Sequence, residues 1–168
     1  SSEDNPENQL DALSKGADEL LVKPVTGDYL VRSVRLRCYR ARQLSDLMNR
    51  DSLTGLLKHS LIKQEVDREL ARCRRAGHTS CVVMLDLDHF KRVNDTWGHG
   101  QGDIVIRTLA NLLRNRLRES DVIGRYGGEE FLLILPDCEP AVAVKLIEAI
   151  GKSFAELVFW AGDDSFQV

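Results

Sequence analysis

The chain has 168 residues, a net charge of −3 and an apolar fraction of 43%. This length suits one domain, or one domain with a fragment of another, and the apolar content is enough to form a buried core. The nearly neutral balance does not suggest a generic surface for nucleic acid or anionic membrane. Because no apolar run approaches the roughly 20 residues of a membrane helix and no signal peptide opens the chain, we expect a cytoplasmic protein without a membrane segment.

The cysteines and histidines form no recognisable metal or redox motif. The four histidines lack ligand spacing as a set, and no Cys-x-x-Cys pair occurs among the cysteines, which are Cys38, Cys73, Cys81 and Cys138. We therefore expect reduced, partly buried thiols rather than a zinc or redox site.

The first segment, residues 1–28, is too short to enclose a core. Asp4-Asn5-Pro6 has the composition of a helix cap and predicts a short helix that ends at Gly16. Leu20-Leu21-Val22 predicts a strand that ends at Lys23-Pro24. Since one helix and one strand cannot bury a core, we interpret this segment as the end of a domain that begins upstream.

Residues 29–50 predict a helical linker, because neither proline nor glycine interrupts them. Apolar residues recur there in steps of three and four, with a break at Arg37, and these seam positions are Leu30, Val34, Ala41, Leu44 and Met48. The spacing is typical of a coiled coil but covers fewer than the three or four heptads that define one. Pairing with a second chain and packing against its own domain both stay open.

The remainder, residues 51–168, predicts a turn followed by helix, strand, helix, hairpin and helix. That order is typical of an α/β domain of the α+β sandwich type. The strand at 80–87 is mostly apolar, which predicts a central strand covered on both faces, and Phe166-Gln167-Val168 resembles the start of a further strand. Helical spacing of apolar residues predicts the three helices through Ile62, Val66, Leu70 and Cys73, then Val105, Leu109, Leu112 and Leu113, then Ala143, Leu146, Ile150, Phe154 and Leu157.

The segment Gly127-Gly128-Glu129-Glu130-Phe131 lies between the strand-like runs 122–126 and 131–135. A glycine pair there predicts a tight hairpin, since glycine adopts positive φ without steric cost. Glu129 and Glu130 would lie at the rim of this hairpin. They would either take part in metal or phosphate chemistry or be solvated carboxylates without such a role.

A second pair of acids, Asp86 and Asp88, ends the apolar strand. Residues two apart on a strand project the same way, and carboxylates at the end of an apolar strand are costly unless solvated or neutralised. A structural role is the alternative, but the glutamates on a second strand favour a divalent cation. Oxygen donors without paired His or Cys select Mg²⁺ or Mn²⁺, which serve phosphoryl and nucleotidyl transfer.

The residues after Asp88 suit a nucleotide. A turn into a helix at His89-Phe90-Lys91-Arg92 would aim backbone N–H groups at an anion, and Lys91 would stabilise transition-state charge. Asn94 and Asp103 offer hydrogen bonds to a base edge, and a carboxylate suits guanine because its N1–H and exocyclic amine both donate. A plain helix N-cap is the alternative for Asp103.

Four motifs together resemble the GGDEF family, the diguanylate cyclases that condense two GTP into cyclic di-GMP and release pyrophosphate. The motifs are Asp51-Ser52-Leu53-Thr54-Gly55-Leu56, the run from Asp86 to Asp95, Gly98-His99 with Gly102-Asp103, and the run from Arg125 to Phe131. The resemblance covers Asp51 to Val168 and implies a palm-like fold related to nucleotidyl cyclases and polymerases. Lys58-His59 departs from the family's usual Asn-Arg. The family domain also continues past Val168 with a strand and a basic helix, so a sheet edge would be exposed here.

The resemblance also implies roles for single residues. Asp86, the Leu87 carbonyl and Glu129 would hold Mg²⁺, and Glu129 or Glu130 would assist deprotonation of the attacking 3′-hydroxyl. Lys91 would stabilise charge on the triphosphate. The other implied contacts with GTP are Phe90, Asn94, His99, Asp103, Gly127 and Gly128. Each domain of the family holds one GTP, so the reaction would require a homodimer with two domains face to face.

The resemblance extends to regulation. Arg118-Glu119-Ser120-Asp121 stands where the family carries its RxxD product-inhibition site. Arg118 would grip phosphate or guanine bidentately and Asp121 would accept from guanine, with a surface ion pair as the alternative. The first segment resembles the end of a response-regulator receiver domain, with Ser1 and Lys23-Pro24 at its family positions. A receiver implies an upstream histidine kinase for the full-length protein.

Two other functions fit the same residues. The chain would be a catalytically inactive module that binds cyclic di-GMP or GTP, or a purely structural dimerisation unit. Turnover of GTP separates the enzyme from the binding module, and nucleotide binding separates both from the structural unit.

Overall fold

A computed structural model describes the chain at residues 10–11, 13–17, 20–21 and 23–168, apart from the side chains of Asp46 and Leu47. The chain divides into two compact units, residues 1–45 and 46–168. Ser1 and the predicted cap at Asp4-Asn5-Pro6 lie outside the described residues. Among the described residues, no helix is both long enough and apolar enough to cross a membrane.

In the first unit, the structure contains helical residues at 10–11 and 13–14, followed by a turn at Gly16 with φ 96°. The predicted strand is wrong at Leu20 and Leu21, which are in no strand, and Val22 is not described. A strand needs a hydrogen-bonded neighbour, and the described part of this unit supplies none. Helix α1 (Gly27–Asn49) confirms the predicted helix, and its role as a linker stays a prediction. Most of its seam positions are strongly exposed, with values between 46% and 74% at Leu30, Val34, Leu44 and Met48.

The second unit contains a four-stranded mixed sheet, a two-stranded hairpin and four helices, which confirms the predicted α/β sandwich. The sheet order is β1-β3-β4-β2, with β1 parallel to β3 and the other neighbours antiparallel. Strands β5 and β6 form the hairpin. In chain order the elements are β1 (Leu57–Lys58), α2 (His59–Ala76), β2 (Cys81–Asp86), α3 (Phe90–Trp97), α4 (His99–Arg116), β3 (Val122–Arg125), β4 (Glu130–Leu135), α5 (Pro140–Ala155), β5 (Phe159–Ala161) and β6 (Asp164–Phe166).

The core of the second unit forms on both faces of β4. Phe131, Leu133 and Leu135 join the main core with residues of α3, α4 and α5. On the opposite face, Leu132 and Ile134 pack with Ile62 of α2. Strand β4 therefore connects the two apolar layers, and its packing fixes the position of its first residue, Glu130.

The prediction of a central strand at 80–87 is wrong, because β2 lies at the end of the sheet and its described neighbour is β4. Val82 and Met84 are 52% and 48% exposed. They share a face with Leu132 and Ile134 across the ladder, but helix α2 lies over β1, β3 and β4. The apolar run thus predicts the strand correctly but not the number of its neighbours.

Two pairings, β1 with β3 and β5 with β6, are found in addition to the predicted elements. Strand β1 has two residues and is too short for alternation to show in the sequence. Phe166 ends β6 rather than opening a new strand, and Gly162 adopts φ 67° between the hairpin strands. Two of the predicted helix-face positions differ from the prediction. Leu157 lies after the end of α5, and Leu70 lies on α2 but is 48% exposed.

Gly124 sets the distance between α2 and the sheet, and this contact can be tested. A Cβ at Gly124 would lie 2.5 Å from the Cβ of Ile62, an atom that cannot move without its helix. We expect Gly124→Ala to lower the free energy of unfolding by about 1–3 kcal/mol, measured by urea denaturation. Gly151→Ala is the control for an added methyl group, because a Cβ there meets open space on α5, and it should keep or raise the stability since alanine favours a helix. Equal stability of both variants would contradict this packing role.

Candidate active site

The acids of the two strand ends lie side by side. Asp86, the last residue of β2, is paired with Glu130, the first residue of β4. Directly paired residues of antiparallel strands project to the same face, and Glu129 precedes Glu130 in the connecting loop. Asp88 does not share this face by strand geometry, because β2 ends at Asp86 and Asp88 lies in the following turn. That part of the prediction is wrong, since the buried Leu87 already leaves the strand.

These carboxylates are accessible, with Asp86 exposed and both glutamates half-buried. In the described part of the chain, the side chains of Asp86, Glu129 and Glu130 make no hydrogen bond or ion pair. The described residues also contain no group of three or more His, Cys, Asp or Glu side chains that would hold a metal by themselves. Mg²⁺ suits such a donor set, because it binds through one or two carboxylates with water and substrate phosphates. The Leu87 carbonyl accepts the Phe90 N–H at 3.3 Å and keeps its second lone pair.

The hairpin between β3 and β4 differs from the predicted tight turn. Neither Gly127 nor Gly128 adopts a positive φ, and the N–H groups of Tyr126 and Gly127 both donate to the Glu130 carbonyl. Gly127 instead leaves room for the Glu130 carboxylate, since a Cβ at position 127 would lie 2.2 Å from Glu130 Oε2. A Cβ at Gly128 would meet open space. His59, where the sequence departs from the family pattern, packs edge-on against the Tyr126 ring, with centroids 4.3 Å apart.

Helix α3 begins directly after the acidic turn, as predicted. His89 precedes it in the left-handed region, with φ 56°. Phe90 opens the helix and is buried, whereas Lys91 is exposed. Lys91 has no ionic partner among the described residues, so its ammonium group is available to an anionic ligand.

The residues predicted to meet the base lie around the bend between α3 and α4, where Gly98 has φ 81°. Asn94 is in the last turn of α3, and His99 opens α4. The alternative reading of Asp103 as an N-cap is wrong, because α4 begins at His99 and Asp103 lies inside the helix with an exposed side chain. Two glycines near the helix start, at 98 and 100, conceal this boundary in the sequence.

An arginine network links the hairpin to the first turn of the second unit. The Arg125 guanidinium donates to the Gly128 carbonyl at 2.6 Å and to both carboxylate oxygens of Asp51 at 3.2 and 3.3 Å. Asp51 also accepts from the Thr54 N–H and hydroxyl, and the Thr54 carbonyl accepts from Arg114 at 2.6 Å. The sequence contains Asp51 and Arg125 in separate motifs but carries no signal that they meet.

These contacts change the acidity of Asp51. Burial raises its pKa, but hydrogen bonds from Thr54 and Arg125 together with the arginine's charge outweigh burial and hold the pKa below the ordinary value of 3.8. The charged form is therefore favoured by folding, and its contribution to stability is present above that value.

The RxxD residues do not form the ion pair that was the alternative interpretation. Asp121 accepts a hydrogen bond from the backbone N–H of Arg118 at 2.8 Å, and the Asp121 N–H donates to the Arg118 carbonyl. In the described part of the chain, the Arg118 guanidinium has no partner and is exposed. It is therefore available to a phosphate or a base.

We expect Asp51→Asn to lower the free energy of unfolding by about 1–3 kcal/mol at neutral pH, because Arg125 loses its charged partner. The difference from the wild type should begin to shrink as pH falls below about 3.8 and should vanish below the lowered pKa of the folded chain, where the wild-type carboxylate is protonated as well. Urea denaturation between about pH 2.5 and about pH 7 measures this difference in the free energy of unfolding. Asp67→Asn, which changes an exposed carboxylate on α2, is the control. A difference that widens on acidification would overturn the assignment.

Comparison with known proteins agrees with this geometry. The family model "Diguanylate cyclase, GGDEF domain" matches residues 48–164. Diguanylate cyclase DgcP of Pseudomonas aeruginosa is 40% identical over 109 residues, which are 65% of this chain and 16% of that protein. The response regulator PleD of Caulobacter vibrioides is 32% identical over 157 residues, covering 88% of this chain and 35% of that protein. The chain thus spans about a third or less of these relatives.

A solved structure shows the same fold. The coiled coil and GGDEF domain of DgcB from Caulobacter crescentus, crystallised in complex with c-di-GMP, is 31% identical, covers 83% of this chain and 73% of its own, and superposes with a TM-score of 0.74. The palm-like fold is thereby confirmed. Because the family model spans most of the second unit, including both strands that bring Asp86 and Glu130 together, the chain belongs to the GGDEF family of diguanylate cyclases.

Proposed function

We propose that the chain is the catalytic part of a Mg²⁺-dependent diguanylate cyclase that converts two GTP into cyclic di-GMP. The observation that carries this proposal is the pairing of Asp86 with Glu130, with Glu129 adjacent in the loop, at the end of two apolar strands. Acids without partners in the described residues support a cation-binding role. Mn²⁺ would suit the same oxygen donors.

The proposed reaction forms two phosphodiester bonds. The 3′-hydroxyl oxygen of each GTP bonds to the α-phosphorus of the other, and the bond to the β-phosphate breaks so that pyrophosphate leaves each time. Glu129 or Glu130 takes the hydroxyl proton. Asp86, the Leu87 carbonyl and Glu129 would hold Mg²⁺, which supplies positive charge against the phosphate oxygens.

The remaining substrate contacts follow from the helices and the hairpin. Lys91 stabilises the triphosphate charge from the start of α3. Asn94, His99 and Asp103 surround the base and ribose at the bend between α3 and α4. Phe90, Gly127 and Gly128 complete the proposed set. With one GTP in each domain, two copies meet face to face in a homodimer, and no nucleic acid takes part.

We assign residues 1–28 to the end of a receiver domain, 29–50 to a helical linker and 51–168 to the cyclase domain. PleD, which is named a response regulator, matches 88% of the chain and so extends beyond the limits of the family model. Exposed seam positions on α1 suit pairing with a second copy. An upstream histidine kinase would then control the full-length protein, which we place in the cytoplasm.

We expect Glu129→Gln to reduce cyclic di-GMP formation by about 10²–10³-fold or more, because a ligand and a base are lost together. The measurement is chromatographic detection of product from GTP and Mg²⁺, on this chain and on the full-length protein. Glu148→Gln, which changes an exposed acid of α5, should leave the rate unchanged. If the full-length wild-type protein dimerises and binds nucleotide but shows no turnover, the cyclase proposal is wrong and the nucleotide-binding module is the better interpretation.

Product inhibition gives a second test. We expect Arg118→Ala to weaken cyclic di-GMP binding at least about tenfold and to relieve inhibition, since a charge-assisted bidentate contact is lost. Initial rates without product should stay at the wild-type level. Arg107→Ala removes an exposed arginine of α4 as the control. Unchanged inhibition in Arg118→Ala would contradict the RxxD assignment.

A further inference from the structure

Gly102 of α4 is buried and lies against the end of α3. A Cβ built on Gly102 would lie 2.0 Å from Asn94 Oδ1, 3.1 Å from Asn94 Cγ and 3.1 Å from Phe90 Cζ. The Asn94 carboxamide therefore rests directly on the main chain of α4. Any side chain at Gly102 would displace it.

Packing alone fixes the Asn94 carboxamide. In the described residues its oxygen and nitrogen have no hydrogen-bond partner, although the Asn94 main-chain carbonyl accepts from the Gly98 N–H at 2.9 Å. An amide has two donors and an acceptor that would otherwise rotate freely. The surface of Gly102 limits that rotation and leaves the amide's hydrogen-bonding capacity available to a ligand.

We infer that Gly102 is a positioning residue for the purine pocket, which holds the Asn94 carboxamide in the orientation that meets the base. This inference rests on the proposed function for its ligand, GTP, and adds a residue that does not itself touch the nucleotide. The closest atom is at the far end of the flexible Asn94 side chain, whereas the buried Phe90 ring has to give by only a few tenths of an ångström. A methyl group at Gly102 therefore displaces the Asn94 amide while α4 is kept, since alanine favours a helix more than glycine does.

The chain offers a matched control two residues away. Gly100 is in the same helix, is exposed, and would carry a Cβ without any atom within 4 Å. Gly102→Ala and Gly100→Ala are thus the same chemical change, two residues apart near the start of one helix. The two differ in the contact with Asn94 and Phe90.

The test measures binding of 3′-deoxy-GTP, which lacks the attacking hydroxyl, to the full chain with Mg²⁺ by titration calorimetry. We expect Gly102→Ala to weaken binding about tenfold, the value of one well-placed hydrogen bond, and Gly100→Ala to leave it unchanged. In an Asn94→Ala background, Gly102→Ala should cause a much smaller loss, because the Asn94 amide is absent and the Phe90 ring at 3.1 Å is the close neighbour that remains. Equal effects of the two glycine variants, or additive losses in the double variant, would overturn the inference.

Two further measurements separate this inference from folding and from the proposed function. If Gly102→Ala lowers the Tm of unfolding, adding Asn94→Ala to that variant should restore the Tm. If the Tm is not restored, the clash does not involve Asn94 and the inference is wrong. Without nucleotide, the Asn94 side-chain amide resonances should shift in Gly102→Ala and not in Gly100→Ala. Resonances that do not shift in Gly102→Ala would refute the positioning role. If they do shift but the wild-type chain binds no GTP analogue, only the proposed function is refuted.

Discussion

The candidate site depends on the antiparallel register between β2 and β4. Asp86 is paired with Glu130 because Leu85 is paired with Phe131, whose side chain is fully buried in the main core. A slip of one residue would turn every side chain of the strand to the opposite face and push Asp86 towards the core. Burying an unpaired carboxylate is costly. The same apolar packing that stabilises the sheet therefore keeps the acids together at its end.

The loop that joins β3 to β4 is held from outside the ladder. Arg125 spans from the Asp51 carboxylate to the Gly128 carbonyl, and both members of the ion pair are at most 20% exposed. At that burial, the charge-assisted hydrogen bonds are stronger than those of a solvated pair. Gly127 and Gly128 have no left-handed backbone, and the loop is constrained instead by the hydrogen bond from Arg125 to the Gly128 carbonyl.

Much of this fold follows from the sequence, and the exceptions have physical causes. Helical spacing locates α2, α4 and α5, and the apolar runs locate β2 and β4, because period and burial are local properties. The neighbours of β2 are not local, so its position at the end of the sheet is invisible in an apolar run. The alternative reading of Asp103 as a helix N-cap fails for a similar reason, since α4 includes Gly100 when the packing of the helix against α3 compensates for the low helix propensity of glycine.

The glycines show why the site is harder to predict than the sheet. In a sequence, Gly127 and Gly102 indicate backbone freedom, yet neither adopts a positive φ. Each instead leaves room for a polar side chain, Glu130 in one case and Asn94 in the other. Side chains that are oriented by contact, without hydrogen bonds in the described residues, keep their donors and acceptors available. These two side chains are therefore ordered by packing, and a ligand that contacts either one would not have to break an internal hydrogen bond of that side chain.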